Sequence, residues 1–193
     1  DTGDFLGVFV EAERGGLMAP YGLTIGPNGN LFVNTDHAGV IEYDGATGAH
    51  MRQFIEHGAG DLHHGRGILF IPQPASLGRG WRCLVTNGRN HNVLEFDADT
   101  GAYVGVFNEG DFRGRLRDPW GLRQGPNGNV FVSGAFLHAR GAPPPPGSLS
   151  TSAAGLHLTR PHIFQYDGVS GKLINAYVQA IDSGLDHPKG FDF

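Results

Sequence analysis

Pro20-Tyr21-Gly22-Leu23-Thr24-Ile25-Gly26-Pro27-Asn28-Gly29-Asn30-Leu31-Phe32-Val33 returns almost unchanged as Pro119-Trp120-Gly121-Leu122 through Gly125-Pro126-Asn127-Gly128-Asn129-Val130-Phe131-Val132. Each copy holds an Asn-Gly pair between two runs of alternating apolar and polar residues, which is the strongest short-range signal for a β-hairpin. Outward from these hairpins, a second element recurs. Asp1-Thr2-Gly3-Asp4-Phe5-Leu6-Gly7-Val8-Phe9 is echoed from Ala46-Thr47-Gly48 to Phe54, in Asp99-Thr100-Gly101 through Phe107, and more loosely from Val169-Ser170-Gly171 to Tyr177. A third element, Val40-Ile41-Glu42-Tyr43-Asp44-Gly45, matches Val93-Leu94-Glu95-Phe96-Asp97 and Ile163-Phe164-Gln165-Tyr166-Asp167-Gly168. Repeats starting at 1, 46, 99 and 169 have the period of propellers and related arrays, so the chain divides into units of about 1–45, 46–98, 99–168 and 169–193.

Every unit predicts four short strands, a to d. In the first full unit strand a is about Tyr21–Ile25, b about Asn30–Asn34, c about Val40–Tyr43, and d is the next Thr-Gly element. The composition agrees: 32 Gly, 12 Pro and 13 Phe against two Met describe an all-β chain of short segments and tight turns. Fourteen basic against 19 acidic residues, with no basic run, argues against a nucleic-acid partner or a polybasic membrane contact. No apolar stretch approaches the roughly 20 residues that a spanning helix needs, and no signal peptide opens the chain, so no membrane insertion is expected. The start at Asp1 rather than Met leads us to expect that upstream sequence is missing. A secreted or organelle-lumen location is the corresponding, extracellular-type expectation. The single Cys83 cannot form an internal disulfide and reads as a buried apolar thiol within a strand.

With these units in view, the chain resembles the NHL-repeat β-propeller family along nearly its whole length. The nearest local likeness is Asn90-His91-Asn92-Val93-Leu94-Glu95-Phe96-Asp97, which is similar to the segment leading into the third strand of NHL repeats. The resemblance implies radially arranged, four-stranded antiparallel blades, of which about three and a half would be present. A propeller of this kind would leave open sheet edges, so the expectation is a partial propeller completed by further blades or by another protein. Two departures stand out. The second unit has Gly65-Arg66-Gly67-Ile68 where others have Pro-x-Gly, and a longer a-to-b connection, Pro72 to Gly80. The third unit carries an insertion, about Phe136 to Arg160, rich in Pro and Ser and expected to project as a loop.

Strand alternation puts the d-to-a and b-to-c connections on one face and the a-to-b and c-to-d turns on the other. Nine of the ten His fall in or beside the former set, His50 being the exception. The first residues of strand a lie nearest the common axis: Ala19 and Tyr21, His64 and Arg66, Asp118 and Trp120, His187 and Lys189. Tyr21, Arg66, Trp120 and Lys189 combine cations with flat aromatic surfaces, a mixture suited to an anionic or sugar-like ligand or an acidic protein segment; simple packing of the funnel between blades is the competing explanation. Asn34, Asn87 and Ser133 end strand b and add polar groups near that rim. His64 and His187 could contribute to a metal site, and the resemblance implies two precedents: zinc held by His in NHL-type lyases, and calcium held by Asn, Asp and Glu in gluconolactonase-like propellers. Ala19 and Asp118 break the His pattern, and loop solvation is the plainer account of these His. Phosphate loops, nucleophile elbows and paired Cys are all missing from the sequence. The leading expectation is therefore a cofactor-free binding or assembly module for a protein or glycan partner. The alternative is a metal-dependent lyase or hydrolase with a His-based site at the channel mouth.

Overall fold

The computed structural model describes residues 3–108, 116–136 and 160–179. These residues form three four-stranded antiparallel sheets that follow one another along the chain. The first comprises β1 (Pro20–Ile25), β2 (Leu31–Thr35), β3 (Gly39–Tyr43) and β4 (His50–Ile55). In the second are β5 (Gly65–Pro72), β6 (Trp81–Asn87), β7 (Asn92–Asp97) and β8 (Tyr103–Val106). The third holds β10 (Leu122–Gln124), β11 (Val130–Phe136), β12 (Arg160–Tyr166) and β13 (Leu173–Gln179), with the short β9 (Leu116–Arg117) also pairing β11. Strand order is sequence order in each sheet, as a meander of hairpins gives. No sheet closes on itself among the described residues. The insertion between Phe136 and Arg160 lies outside the described residues, apart from its two ends, which pair with each other.

The turn chemistry explains the strand spacing. Asn28 and Asn127 accept the amides of Asn30 and Asn129 through Oδ1, while Gly29 and Gly128 take φ near 80°. The c-to-d turns are built alike in all three sheets: Asp44, Asp97 and Asp167 each accept two backbone amides and one hydroxyl, from Thr47, Thr100 or Ser170. Hydrogen bonds from those hydroxyls and amides hold each of the three carboxyls below the usual range. The Gly that follows the hydroxyl residue is needed twice over. Gly48, Gly101 and Gly171 have positive φ, and a side chain at any of them would overlap the carbonyl of Phe9, Phe54 or Phe107, the aromatic that ends the preceding Thr-Gly element.

Two of the three cores lie between sheets, and the third sets Val33, Ile41 and Tyr43 of the first sheet against Val10 and Leu17. Phe32, Val40 and Phe54 of the first sheet meet Ile68, Phe70, Val85 and Phe96 of the second, and three rings, Phe32, Phe54 and Phe70, pack with centroids 4.8 to 6.1 Å apart. The second sheet's opposite face, with Ile71, Leu84 and Val93, packs on Leu122, Val130, Val132 and Phe164 of the third. Period-two alternation therefore buries both faces of the middle sheet. The inner strands also meet directly: a side chain at Gly22 would overlap the Arg66 carbonyl, and one at Gly67 the Trp120 carbonyl. This is the physical reason for a Gly in the third position of Pro20-Tyr21-Gly22 and Gly65-Arg66-Gly67. Cys83 is buried within the first of the two inter-sheet cores, where desolvation drives its thiol far up from the ordinary range.

Candidate functional site

Three residues hold an unusual backbone at the entrance to strand a. Ala19, His64 and Asp118, none of them Gly, have φ of 45°, 52° and 43°. Each precedes a Pro or Gly and stands two residues before Tyr21, Arg66 or Trp120. The left-handed region is costly for such residues, and one strained turn repeated in three units means that the surrounding structure imposes it. The turn brings the chain sharply into the inner strand and sets the three following side chains beside one another. Tyr21 and Trp120 meet edge to face, with centroids 6.2 Å apart, although 99 positions separate them in the sequence. The Arg66 guanidinium lies over the Trp120 ring, 4.0 Å from its centroid.

The charge of Arg66 is not left open. Its Nη1 donates to Asp118 Oδ1, and Trp120 Nε1 donates to the other oxygen of the same carboxylate at 3.1 Å. Asp118 is itself fixed from behind, since its backbone N–H donates to His91 Nδ1 at 3.2 Å. Burial, with Arg117 nearby, holds the His91 imidazole below its usual range despite the opposing pull of Asp118. A second contact of the same type joins the first two units: His64 Nδ1 lies 2.8 Å from Asp36 Oδ1. In both, a d-to-a connection touches the b-to-c connection of the neighbouring or preceding unit. Asn90 Nδ2 also donates to an Asp61 carboxylate oxygen at 2.5 Å, and Gly88 N–H to the His64 carbonyl at 3.2 Å. The two sets of connections thus share a face. The Gly29 carbonyl lies instead against Gly45, and that of Gly128 against Gly168, so the a-to-b and c-to-d turns are grouped together as well.

Of the residues expected at the site, Tyr21, Arg66, Trp120 and His64 are brought together; Lys189 and His187 lie outside the described residues. Asn87 ends strand b as expected and Asn34 stands one residue before its end, but the two are not equivalent in register. Strand register aligns Asn34 with Thr86 and Ser133, whereas Asn87 aligns with Thr35 and Gly134. Both Asn are fully buried. Asn87 braces the d-to-a connection, accepting the His63 amide at 3.1 Å and donating to the Asp61 carbonyl at 2.9 Å. Asn34 packs against Gly65, and neither of its amide atoms has a hydrogen-bond partner among the described residues. Thr86, its counterpart, accepts the Gly67 amide at 2.7 Å and donates to the Trp120 carbonyl at 3.3 Å, tying one inner strand to the next. Asp118, Asp36 and His91 belong to the same cluster and were missed as partners, because their role depends on contacts between units. The unit-to-unit alignment of Ala19, His64 and Asp118 was the available signal. No group of three or more His, Cys, Asp or Glu among the described residues is arranged to hold a metal ion. No helix among the described residues is long and apolar enough to cross a membrane.

No known protein family matches the chain, and no curated protein matches it.

Proposed function

We propose that the chain is a binding or assembly module, formed of consecutive blades of an NHL-like β-propeller, that presents one loop face to a protein or glycan partner. The successive meeting of inner strands, with Gly22 against Arg66 and Gly67 against Trp120, supports the blade arrangement. The observation that carries the functional reading is the Tyr21–Trp120–Arg66 cluster with Asp118 spending the guanidinium charge. Such a surface is aromatic, partly exposed and locally close to neutral. It suits neutral, hydroxyl-rich partners that stack on rings and donate to carboxylates, and it disfavours a strongly acidic ligand, which would have to displace Asp118 from Arg66. No cofactor enters this reading. For the metal-dependent lyase or hydrolase built on His64, His187 and zinc or calcium, the described residues offer no observation in favour, as they hold no group of three or more His, Cys, Asp or Glu arranged for a metal.

The test is comparative binding to an array of neutral oligosaccharides and extracellular proteins. Trp120→Ala is expected to weaken whatever binding the chain shows by at least about tenfold, as loss of an aromatic hot spot does. Trp81→Ala, an exposed Trp at the opposite turns, is expected to leave it unchanged. Equal losses in the two variants, or none in Trp120→Ala, would remove the loop face from the account.

A further inference from the structure

The first sheet lacks something that the other two have. Leu23, Ile68 and Leu122 occupy the same register position on their inner strands. Ile68 and Leu122 are 3% and 1% exposed, each covered by the preceding sheet, but Leu23 is 68% exposed, and Ile25 beside it 59%. The first Thr-Gly element shows the same difference. Phe9 stands against Gly48 as Phe54 stands against Gly101 and Phe107 against Gly171, so residues 5–9 already occupy the place of an outermost strand d. Yet no strand pairs residues 5–9 among the described residues, and Phe9 is 49% exposed where Phe54 and Phe107 are 3% and 4%. Phe5, Leu6 and Val8 are exposed too. On that face Val33, Ile41 and Tyr43 are buried beneath Val10 and Leu17, so what stays uncovered is its inner strand, Leu23 and Ile25, beside the unpaired segment 5–9. Exposed apolar side chains next to unpaired backbone mark an interaction surface.

We infer that this surface, Phe5–Phe9 with Leu23 and Ile25, receives the inner three strands of a further repeat unit of the same kind. The occupant's chemistry follows from what fills the equivalent places. Strand d is paired in all three sheets by a strand c reading apolar-apolar-Glu/Gln-aromatic-Asp: Val40 to Asp44, Val93 to Asp97 and Ile163 to Asp167. Its inner strand would set a Gly against the Tyr21 carbonyl, as Gly22 and Gly67 sit against the carbonyls of Arg66 and Trp120. A second copy cannot supply these strands, because every strand c of the described residues is already covered by its own strand d. The inference rests on the blade arrangement proposed above and is independent of what the loop face binds.

The experiment adds the missing unit to the full chain. Copying residues 65–98 in front of Asp1 places Asp97-Ala98 before Asp1-Thr2-Gly3 and rebuilds the turn that runs from Asp97 to Gly101. Hydrogen exchange at the amides of Phe5, Leu6, Val8, Phe9, Leu23 and Ile25 is expected to slow by at least about tenfold relative to the unextended chain. A second extension, residues 20–46 placed before Thr2, rebuilds the turn from the first unit and is expected to act alike. Exchange unchanged in both extended chains overturns the inference. So does a dimeric unextended chain in which these same amides are already slow, since a second copy is then the occupant. Failure here leaves the Trp120 comparison untouched, and failure there leaves this one untouched.

Discussion

Gly101 shows how one residue can encode a junction between units. Its φ of 74° already favours Gly, and its α-carbon also lies against the Phe54 carbonyl, so an added methyl group meets both objections at once. Gly3 is its counterpart, with φ of 77° and open space where the methyl group would go. Gly101→Ala is therefore expected to cost about 2–4 kcal/mol and Gly3→Ala about 1 kcal/mol or less, read from urea midpoints. Equal costs would mean that the contact with Phe54 carries no weight. The glycines were visible in the sequence as turn residues. That they are also packing residues was not, because the atom they avoid belongs to another unit. Arg66 poses the same problem for sequence reading. Its cation was legible and its neutralisation by Asp118 was not, since no spacing rule links positions 52 residues apart on separate strands.

Among the elements, strand c carries the polar anchor of the sheet. Glu42 is buried in β3 and accepts hydrogen bonds from Asn28 Nδ2 at 2.8 Å, Asn30 Nδ2 at 2.7 Å and Arg52 Nε at 2.6 Å, tying the a-to-b hairpin and strand d to itself. Desolvation raises the carboxyl's pKa, but those three donors and the Arg52 charge together outweigh it, so the net shift is downward. A group whose folded pKa lies below its unfolded value stabilises the fold above that unfolded value, about 4.3 for Glu, and ceases to do so as pH falls through the folded pKa. Glu42→Gln is expected to lose about 1–3 kcal/mol at pH 7 and to show a smaller fall in stability between pH 6 and pH 3 than the unaltered chain. Identical pH slopes would show that Glu42 is not the group responsible. Element limits were read well wherever Asn-Gly marks the hairpin: strand a runs from Pro20 rather than Tyr21, and strand c from Gly39 rather than Val40. Asn87 ends strand b as read, but its register differs from that of Asn34 for a physical reason. The second unit's longer a-to-b connection removes the hairpin from which positions along strand b can be counted, and register alone aligns Thr86 with Asn34.

At the scale of the molecule, three sheets share two inter-sheet cores, the middle sheet belonging to both, and a third core lies on the first sheet's outer face. Repetition made this much legible, because a unit that recurs with its apolar pattern intact must stack on its neighbours to bury both faces. The loop-face cluster was legible only as a set of positions; the contacts that join Tyr21, Arg66 and Trp120 arise from the stacking itself. The account's central claim, that this face does the binding, is tested most directly by fluorescence of two single-tryptophan chains titrated with neutral oligosaccharides. Trp81→Phe leaves Trp120 as the reporter on the loop face, and Trp120→Phe leaves Trp81 at the opposite turns. The account predicts a saturable change in emission from the chain retaining Trp120 and none from the chain retaining Trp81. A saturable response from Trp81, with Trp120 silent, would contradict it.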